Sequence, residues 1–461
     1  MTQQREDVHS PEAAATGGAL ARFFDFGPLG TNARREILAG VTTFVTMAYI
    51  LIVNPDILSN AIFLEEPRDL FGELVMATGL SAAIATLIMG LYAKLPFALA
   101  PGMGINAYFA FAVVLGIGVD WRIALAAVFI EGLIFIVLTV SGLRNKIVEA
   151  IPESVKHATT AGIGLFIAYI ALSGSGIIVA NDATLTGLGD LQTPTTAVTV
   201  LGILITSALF ARRVTGALLW GILATSILAW IFGVSPWPSG FFAVPQLPVD
   251  LFGQAFVGLG ELLRTNIWEL ISILFVFLFV DLFDTIGTLT GLGTKAGYIN
   301  QEGQFPGVEK AFMADAVGTT AGAVLGTSTV TTYIESASGI SEGGRSGFTA
   351  VVVAILFALS VLLIPFFAGI PSFATAPALV IVGVLMMSGV RYIPWDEPAA
   401  AIAGFLTIIM MPLTYSIAEG LAMGLIAYPL VKAFQGKFSE TSIGMWVLAA
   451  IFILRYIFGL A

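Results

Sequence analysis

Glu335 lies in GTSTVTTYIESASGISEGGRSG, residues 326–347, a stretch rich in Thr, Gly and Ser set between two long apolar segments. A carboxylate accepts two hydrogen bonds side by side, which suits a flat ligand with adjacent N–H donors, such as a nucleobase. The competing reading is a helix-start carboxylate that caps backbone amides, and one residue can do both. A second acidic motif, FVDLFDTIGTLTG at 279–291, carries Asp281 and Asp284 within an apolar segment. Ionisable residues inside a membrane helix are functional candidates by default. Their i, i+3 spacing puts both on one face, where two like charges in a low dielectric resist joint ionisation, so the pair can carry a proton along with a substrate. The alternative is that either Asp bonds Thr285 or Thr288 and never titrates. Asn106, in GMGINAYF, offers a donor and an acceptor on a short side chain, fit either for a heterocycle edge or for pinning a turn.

Composition says what scaffold must position these groups. Of 461 residues, 57% are hydrophobic and only 11% charged, against about a quarter charged in an ordinary soluble globule, and mean hydropathy is +0.95. The chain reads as a polytopic membrane protein whose surroundings are a lipid bilayer. The net charge of -10 says little about orientation, which follows the placement of Lys and Arg. Nucleic acid is not an expected partner. Zero cysteines exclude disulfides and thiolate metal sites, and two histidines leave little for a zinc or haem site, so no metal or cofactor is expected. No nucleophile–base pair is visible, and GLGTKAGY at 291–298 lacks the spacing of a phosphate-cradling loop. Neither an enzyme nor an ATP-driven pump is expected, so any pumping runs on an ion gradient.

Apolar runs of about 17–25 residues, the length that crosses a bilayer, fall near 37–54, 73–93, 97–116, 123–142, 155–173, 195–211 and 214–233. After a Pro-rich, Trp-containing stretch, a second series falls near 268–291, 309–326, 327–342, 347–368, 373–390, 397–411 and 414–432. The expected organisation is a cytoplasmic tail over 1–35, a first seven-segment repeat over 36–234, an extracytoplasmic linker over 235–265, a second repeat over 266–437, and an apolar stretch over 438–461 that either spans or lies in the interface. With a cytoplasmic N-terminus, Arg34, Arg35, Lys94, Arg144, Lys146, Arg212, Arg213, Lys295, Arg345 and Lys432 all fall inside, while Arg68, Arg122 and Arg264 fall outside. The halves echo each other: Ile-Pro opens the fifth segment of each, at Ile151 and Ile370, and APGMGINAYF aligns with ESASGISEGG at the two third segments. Because seven is odd, the second half inserts upside down. Inverted repeats mark secondary transporters, whose sites lie near the midplane between the repeats.

TSTVTTY, 327–333, is β-branched or aromatic at most positions and favours extended backbone. Extended backbone at membrane depth is tolerated only where protein buries it or a wet cavity adjoins it, and PFALAPG, 96–102, is the matching stretch of the third segment. Two short crossed strands are expected, each followed by a half-helix, one starting near Asn106 and one near Ser336, with free amides aimed into a shared cavity. Backbone near Gly104 and at Ser336 and Ala337 would hold a ligand carbonyl, and Phe283 or Tyr108 would stack on a ring. Glu131 and Asp315 read as buried carboxylates paired with Lys310 or with Thr side chains, Asn54–Pro55 as the end or kink of the first segment, and His157 as a satisfied residue at a membrane edge. Glu419 stays unassigned.

Four stretches, GMGINAYFAF at 102–111, FVDLFDTIGTLTG at 279–291, GTSTVTTYIESASGISEGGRSG at 326–347 and MMPLTYSIAEG at 410–420, resemble the nucleobase:cation symporter-2 group, in its adenine/guanine/hypoxanthine permease branch. The likeness runs from about residue 20 to 437. It implies an all-α polytopic membrane protein of fourteen transmembrane segments in two inverted seven-helix repeats, with short strands in segments 3 and 10. It further implies a core domain of segments 1–4 and 8–11 and a gate domain of segments 5–7 and 12–14. What it implies for activity is proton symport of a purine nucleobase, hypoxanthine or guanine and also adenine, across a bacterial inner (cell) membrane. Asn106, Asp281, Asp284 and Glu335 match positions that such transporters use for substrate binding or coupling. Uracil, xanthine or an anion on the same fold is the alternative cargo, sodium the alternative ion, and the broad gate surface leaves room for a homodimer.

Overall fold

Runs of apolar side chains long enough to reach across a bilayer decide this architecture, a computed structural model that describes residues 18–142, 151–245, 247–262, 267–300 and 305–457. The first half contains α1 (Ala33–Met47), α2 (Ile50–Leu58), α3 (Phe71–Ile88), α4 (Met103–Ala107, continued as a π-helix to Ile117), α5 (Trp121–Ser141), α6 (Glu153–Gly174), α7 (Pro194–Ala211) and α8 (Ala217–Ile231). The connecting stretch forms α9 (Gln254–Leu262), and the second half contains α10 (Ile267–Ala296), α11 (Val308–Leu325), α12 (Ser336–Ser341), α13 (Gly347–Ser360), α14 (Ala376–Met386), α15 (Pro398–Thr414), α16 (Ile417–Phe434) and α17 (Ile443–Ile457). Among the described residues, nine helices are long and apolar enough to cross a membrane, and Met103–Ile117, Ala217–Ile231, Pro398–Thr414 and Ile443–Ile457 are shorter apolar ones. All fourteen expected segments have a counterpart. Residues 1–17 of the tail, Arg144 and Lys146, Arg264 and the end of 444–460 lie outside the described residues.

The two third segments do break into strands. β1 (Leu99–Pro101) pairs antiparallel with β4 (Val330–Thr332), Leu99 opposite Thr332 and Pro101 opposite Val330. The backbone bonds continue past both ends, from Gly102 N–H to Thr329 O and from Tyr333 N–H to Ala98 O, each 2.9 Å. A two-stranded ribbon leaves two outer edges, and unpaired backbone inside a membrane costs several kcal/mol per group, on the order of ~2–7. One threonine closes each edge. On α3, the Thr86 hydroxyl accepts from Leu99 N–H at 2.9 Å and donates to Leu99 O at 2.9 Å. On α11, the Thr319 hydroxyl does the same for Val330, at 3.2 and 2.9 Å. Equivalent segments of the two halves thus carry the same device.

The helices sort into two packing groups. α3 lies against α13 and α11, and α5 against α11 and α9. α6 lies against α14 and α15, α15 against α16, and α7 against α8 and α14.

Two local expectations change. The first segment does not end at Asn54–Pro55: α2 runs through Pro55 to Leu58, and the break falls upstream, at Ala48–Tyr49. Pro55 has no N–H to give the Leu51 carbonyl, yet the helix continues through it. The half-helix of the third segment starts at Met103, placing Asn106 inside it. Within the linker, α9 packs so closely on α5 that a Cβ on Gly258 would stand 1.9 Å from Arg122 O. Unforeseen is an exposed hairpin, β2 (Ile178–Asn181) with β3 (Leu185–Leu188), between α6 and α7. The C-terminal α17 lies along α16, with Arg455 Nη2 3.0 Å from Glu419 Oε1 and the Tyr456 hydroxyl on the same carboxylate.

Candidate functional site

The strand crossing, the start of α4 and the residues that lead into α12 border a cavity of about 110 Å³. Gly102, Met103 and Gly104 line it from the first half, Thr331 to Glu335 from the second, and Asp284 with Thr288 from α10. Val382, Leu385 and Met386 of α14 close the opposite wall. The lining is mainly apolar with two acidic residues and three threonines, the composition of a site that orients a small polar ring inside apolar walls. Glu335 also borders a larger cleft, about 460 Å³, lined by Thr46, Arg213, Thr215, Ser338 and Leu385.

Glu335 precedes α12 yet makes no side-chain bond to the start of that helix. The capping geometry is therefore not adopted. Its Oε1 instead accepts from the Tyr49 hydroxyl at 2.8 Å. Asp284 shares the cavity, one turn of helix before Thr288.

The expected Asp281/Asp284 pair separates. Three residues of helix advance turn the second side chain by about 60° relative to the first, enough here to send them into different surroundings. Asp284 reaches the cavity, whereas Asp281 is wholly buried beside Thr285, whose hydroxyl lies 3.2 Å from Asp281 Oδ1, 2.9 Å from Asp315 Oδ2 and 3.0 Å from the Thr331 hydroxyl. Asp315 also accepts from Thr332 at 3.3 Å, and Glu131 accepts from Thr329 at 2.8 Å. The two buried carboxylates are thus met by threonines, and Lys310 lies instead over the Tyr92 ring at 6.0 Å.

Asn106 does not line the cavity. Its amide bonds the Asn54 side chain and the Ser328 hydroxyl, while Asn54 reaches Thr78 at 2.8 Å and Thr327 at 3.0 Å. This cluster pins the turn between strand and helix. Tyr108 and Phe283 stand away as well: Tyr108 meets Phe277 edge-on at 5.1 Å, and Phe283 meets Phe279 at 4.4 Å with Lys156 Nζ 5.5 Å from its ring. Ser336 and Ala337 do not present free amides. Their N–H groups bond Tyr333 O at 3.1 Å and Ile334 O at 2.9 Å, and the Ser336 hydroxyl accepts from Ala98 N–H at 3.0 Å. At the start of α4 the first-turn amides, Met103 and Gly104 among them, have no partner within their own helix and no side-chain cap from Gly102. The residues missing from the sequence reading are Tyr49, Thr331, Thr332 and the α14 wall; a tyrosine in mid-span ahead of a proline was the available signal for the first.

Residues 34–423 match the Permease family. The chain is 45% identical to the guanine/hypoxanthine permease PbuG of Bacillus subtilis, over 95% of this chain and 100% of that one. It is 41% identical to the adenine permease AdeQ of Escherichia coli, over 99% of each. Among solved structures, the transmembrane domain of the cyanobacterial bicarbonate transporter BicA superposes with a TM-score of 0.60 over 85% of this chain and 97% of that one, at 15% identity. That likeness speaks to the fold, an inverted-repeat transporter, and leaves the cargo open. A family match over most of the chain, full-length relatives that are permeases and a polar cavity at the crossing of two interrupted segments lead to one conclusion: the chain belongs to the nucleobase:cation symporter-2 family of membrane permeases.

Proposed function

We propose that this permease imports purine nucleobases, hypoxanthine or guanine and also adenine, by proton symport through alternating access. The observation that carries the reading is the convergence of Glu335 and Asp284 on one cavity at the strand crossing. In this reading Glu335 accepts the N–H groups of the base, the first-turn amides near Gly104 face its carbonyl, and Thr331 and Thr332 complete the polar rim. Asp284 takes the proton, being the carboxylate that shares the cavity with Glu335. Asp281 and Asn106 act behind the site, through Thr285 and through the Asn54 cluster. The names of the relatives PbuG and AdeQ support a purine as cargo. Two carboxylates in the lining weigh against an anion, although a bicarbonate transporter shares the fold.

The domain assignment belongs to the same proposal: segments 1–4 and 8–11 form a core that moves against a gate of segments 5–7 and 12–14, with α14 the gate wall of the cavity. The permease sits in the cell membrane with its N-terminus cytoplasmic, and a homodimer through the gate face is the expected assembly, tested by cross-linking in membranes.

Uptake of labelled hypoxanthine, challenged with unlabelled adenine, guanine, uracil and sulfate in the presence and absence of a protonophore, tests the function. Purines should compete and the protonophore should abolish accumulation. Competition by sulfate, or by uracil in place of purines, would overturn the cargo. Glu335→Gln should abolish uptake while the protein still inserts, and wild-type uptake in that variant would remove Glu335 from the site.

A further inference from the structure

Tyr49 takes no part in the reading above, yet its position is built with care. Its ring is wholly buried at the break between α1 and α2, and its hydroxyl meets a carboxylate 286 residues further along the chain. Glu335 makes no side-chain bond to the helix it precedes; its carboxylate meets its own backbone N–H and, from across the fold, the Tyr49 hydroxyl. A buried hydroxyl holds on to its acceptor, because no water stands ready to replace it. A hydrogen bond to a charged acceptor is among the stronger and more directional ones.

We propose that Tyr49 is a positioning residue that sets specificity: by donating to Oε1 it fixes the plane of the Glu335 carboxylate and leaves Oε2 as the acceptor most open to the cargo. This rests on the reading of Glu335 as the base-binding group. A base that offers one N–H at this edge is served by Oε2 alone. A base that offers two adjacent N–H donors needs both oxygens, and its second donor competes with Tyr49 for Oε1. Hypoxanthine, with N1–H alone, is of the first kind. Guanine, whose 2-amino group adjoins N1–H, is of the second. Tyr49 therefore tilts the site toward the single-donor purine while holding the carboxylate in place for either.

The test is uptake of labelled hypoxanthine and guanine into proteoliposomes containing wild-type protein or Tyr49→Phe. The KM for hypoxanthine should rise about tenfold, as expected on losing one hydrogen bond to a charged group, with Vmax within about twofold, because substrate orientation and not folding is altered. The ratio of Vmax/KM for guanine to that for hypoxanthine should rise. A merely structural tyrosine would lower Vmax for both bases and leave that ratio unmoved, and either a wild-type KM or an unchanged ratio overturns the proposal. Should the Phe variant fail to insert, 3-fluorotyrosine placed at position 49 keeps the ring and strengthens the donor. The ratio should then move the opposite way, and an unmoved ratio overturns the proposal. Glu335→Gln run alongside separates the two levels: wild-type uptake there removes the underlying site, whereas lost uptake there with an unmoved ratio in the Tyr49 variants removes the Tyr49 role alone.

Discussion

Asp284 and Glu335 face one cavity, so a charge on either is felt by the other. If Asp284 carries the coupling proton, Asp284→Asn should lose uphill accumulation and its dependence on a pH gradient while still exchanging labelled for unlabelled base across the membrane. Counterflow in proteoliposomes measures the second property separately. Accumulation at wild-type level would move the coupling to another carboxylate. How far residues could be read from the sequence divides along the same line. That Glu335 borders a cavity is legible because a carboxylate among Thr, Ser and Gly at membrane depth has few structural uses. Asn106, Tyr108 and Phe283 are ligand candidates by residue type but are not among the cavity's lining residues, because residue type alone does not say which side of a helix faces the cavity. Tyr49 escaped because its partner is brought to it by the folding of segments from opposite halves.

At the scale of elements, the strand ribbon was expected from its β-branched residues and flanking prolines, but the means of closing its edges was not. Thr86 and Thr319 sit in ordinary-looking helices, and only the register of β1 with β4 shows what their hydroxyls do. Thr86→Val and Thr319→Val each leave one buried N–H and one buried C=O without a partner. Each should cost roughly 1–3 kcal/mol, seen as a lower Tm of the protein in detergent, and Ser at either site should restore most of the loss. A valine variant as stable as wild type would mean that another group already serves these edges. The helix spans themselves were legible because length and apolarity are local properties. The hairpin at Ile178–Leu188 and helix α9 were not, being outside the apolar runs that organised the reading.

For the whole molecule, the larger cleft reaches Glu335 from the side on which Arg213 lies, the cytoplasmic side in the orientation proposed above. Ser338, in the same cleft, becomes a reporter in a chain with no native cysteine. Ser338→Cys should react with a membrane-impermeant thiol reagent faster in inside-out vesicles than in intact cells, and hypoxanthine should slow the reaction. Faster labelling from outside would reverse the assigned orientation of the cleft. The ribbon of β1 and β4 bears on how such a molecule is made. Its strands are about 230 residues apart in the chain, so at roughly 5–20 residues per second of synthesis the first waits on the order of ten seconds or longer for the second. Until then Thr86 already meets the Leu99 N–H and carbonyl, but the Ala98 carbonyl and the Gly102 N–H, which bond Tyr333 and Thr329 in the finished fold, have no strand beside them. A nascent first half is thus committed to the bilayer with an open seam that later synthesis must close, and variants that slow the arrival of the second half should be degraded by membrane quality control even when their finished fold is sound.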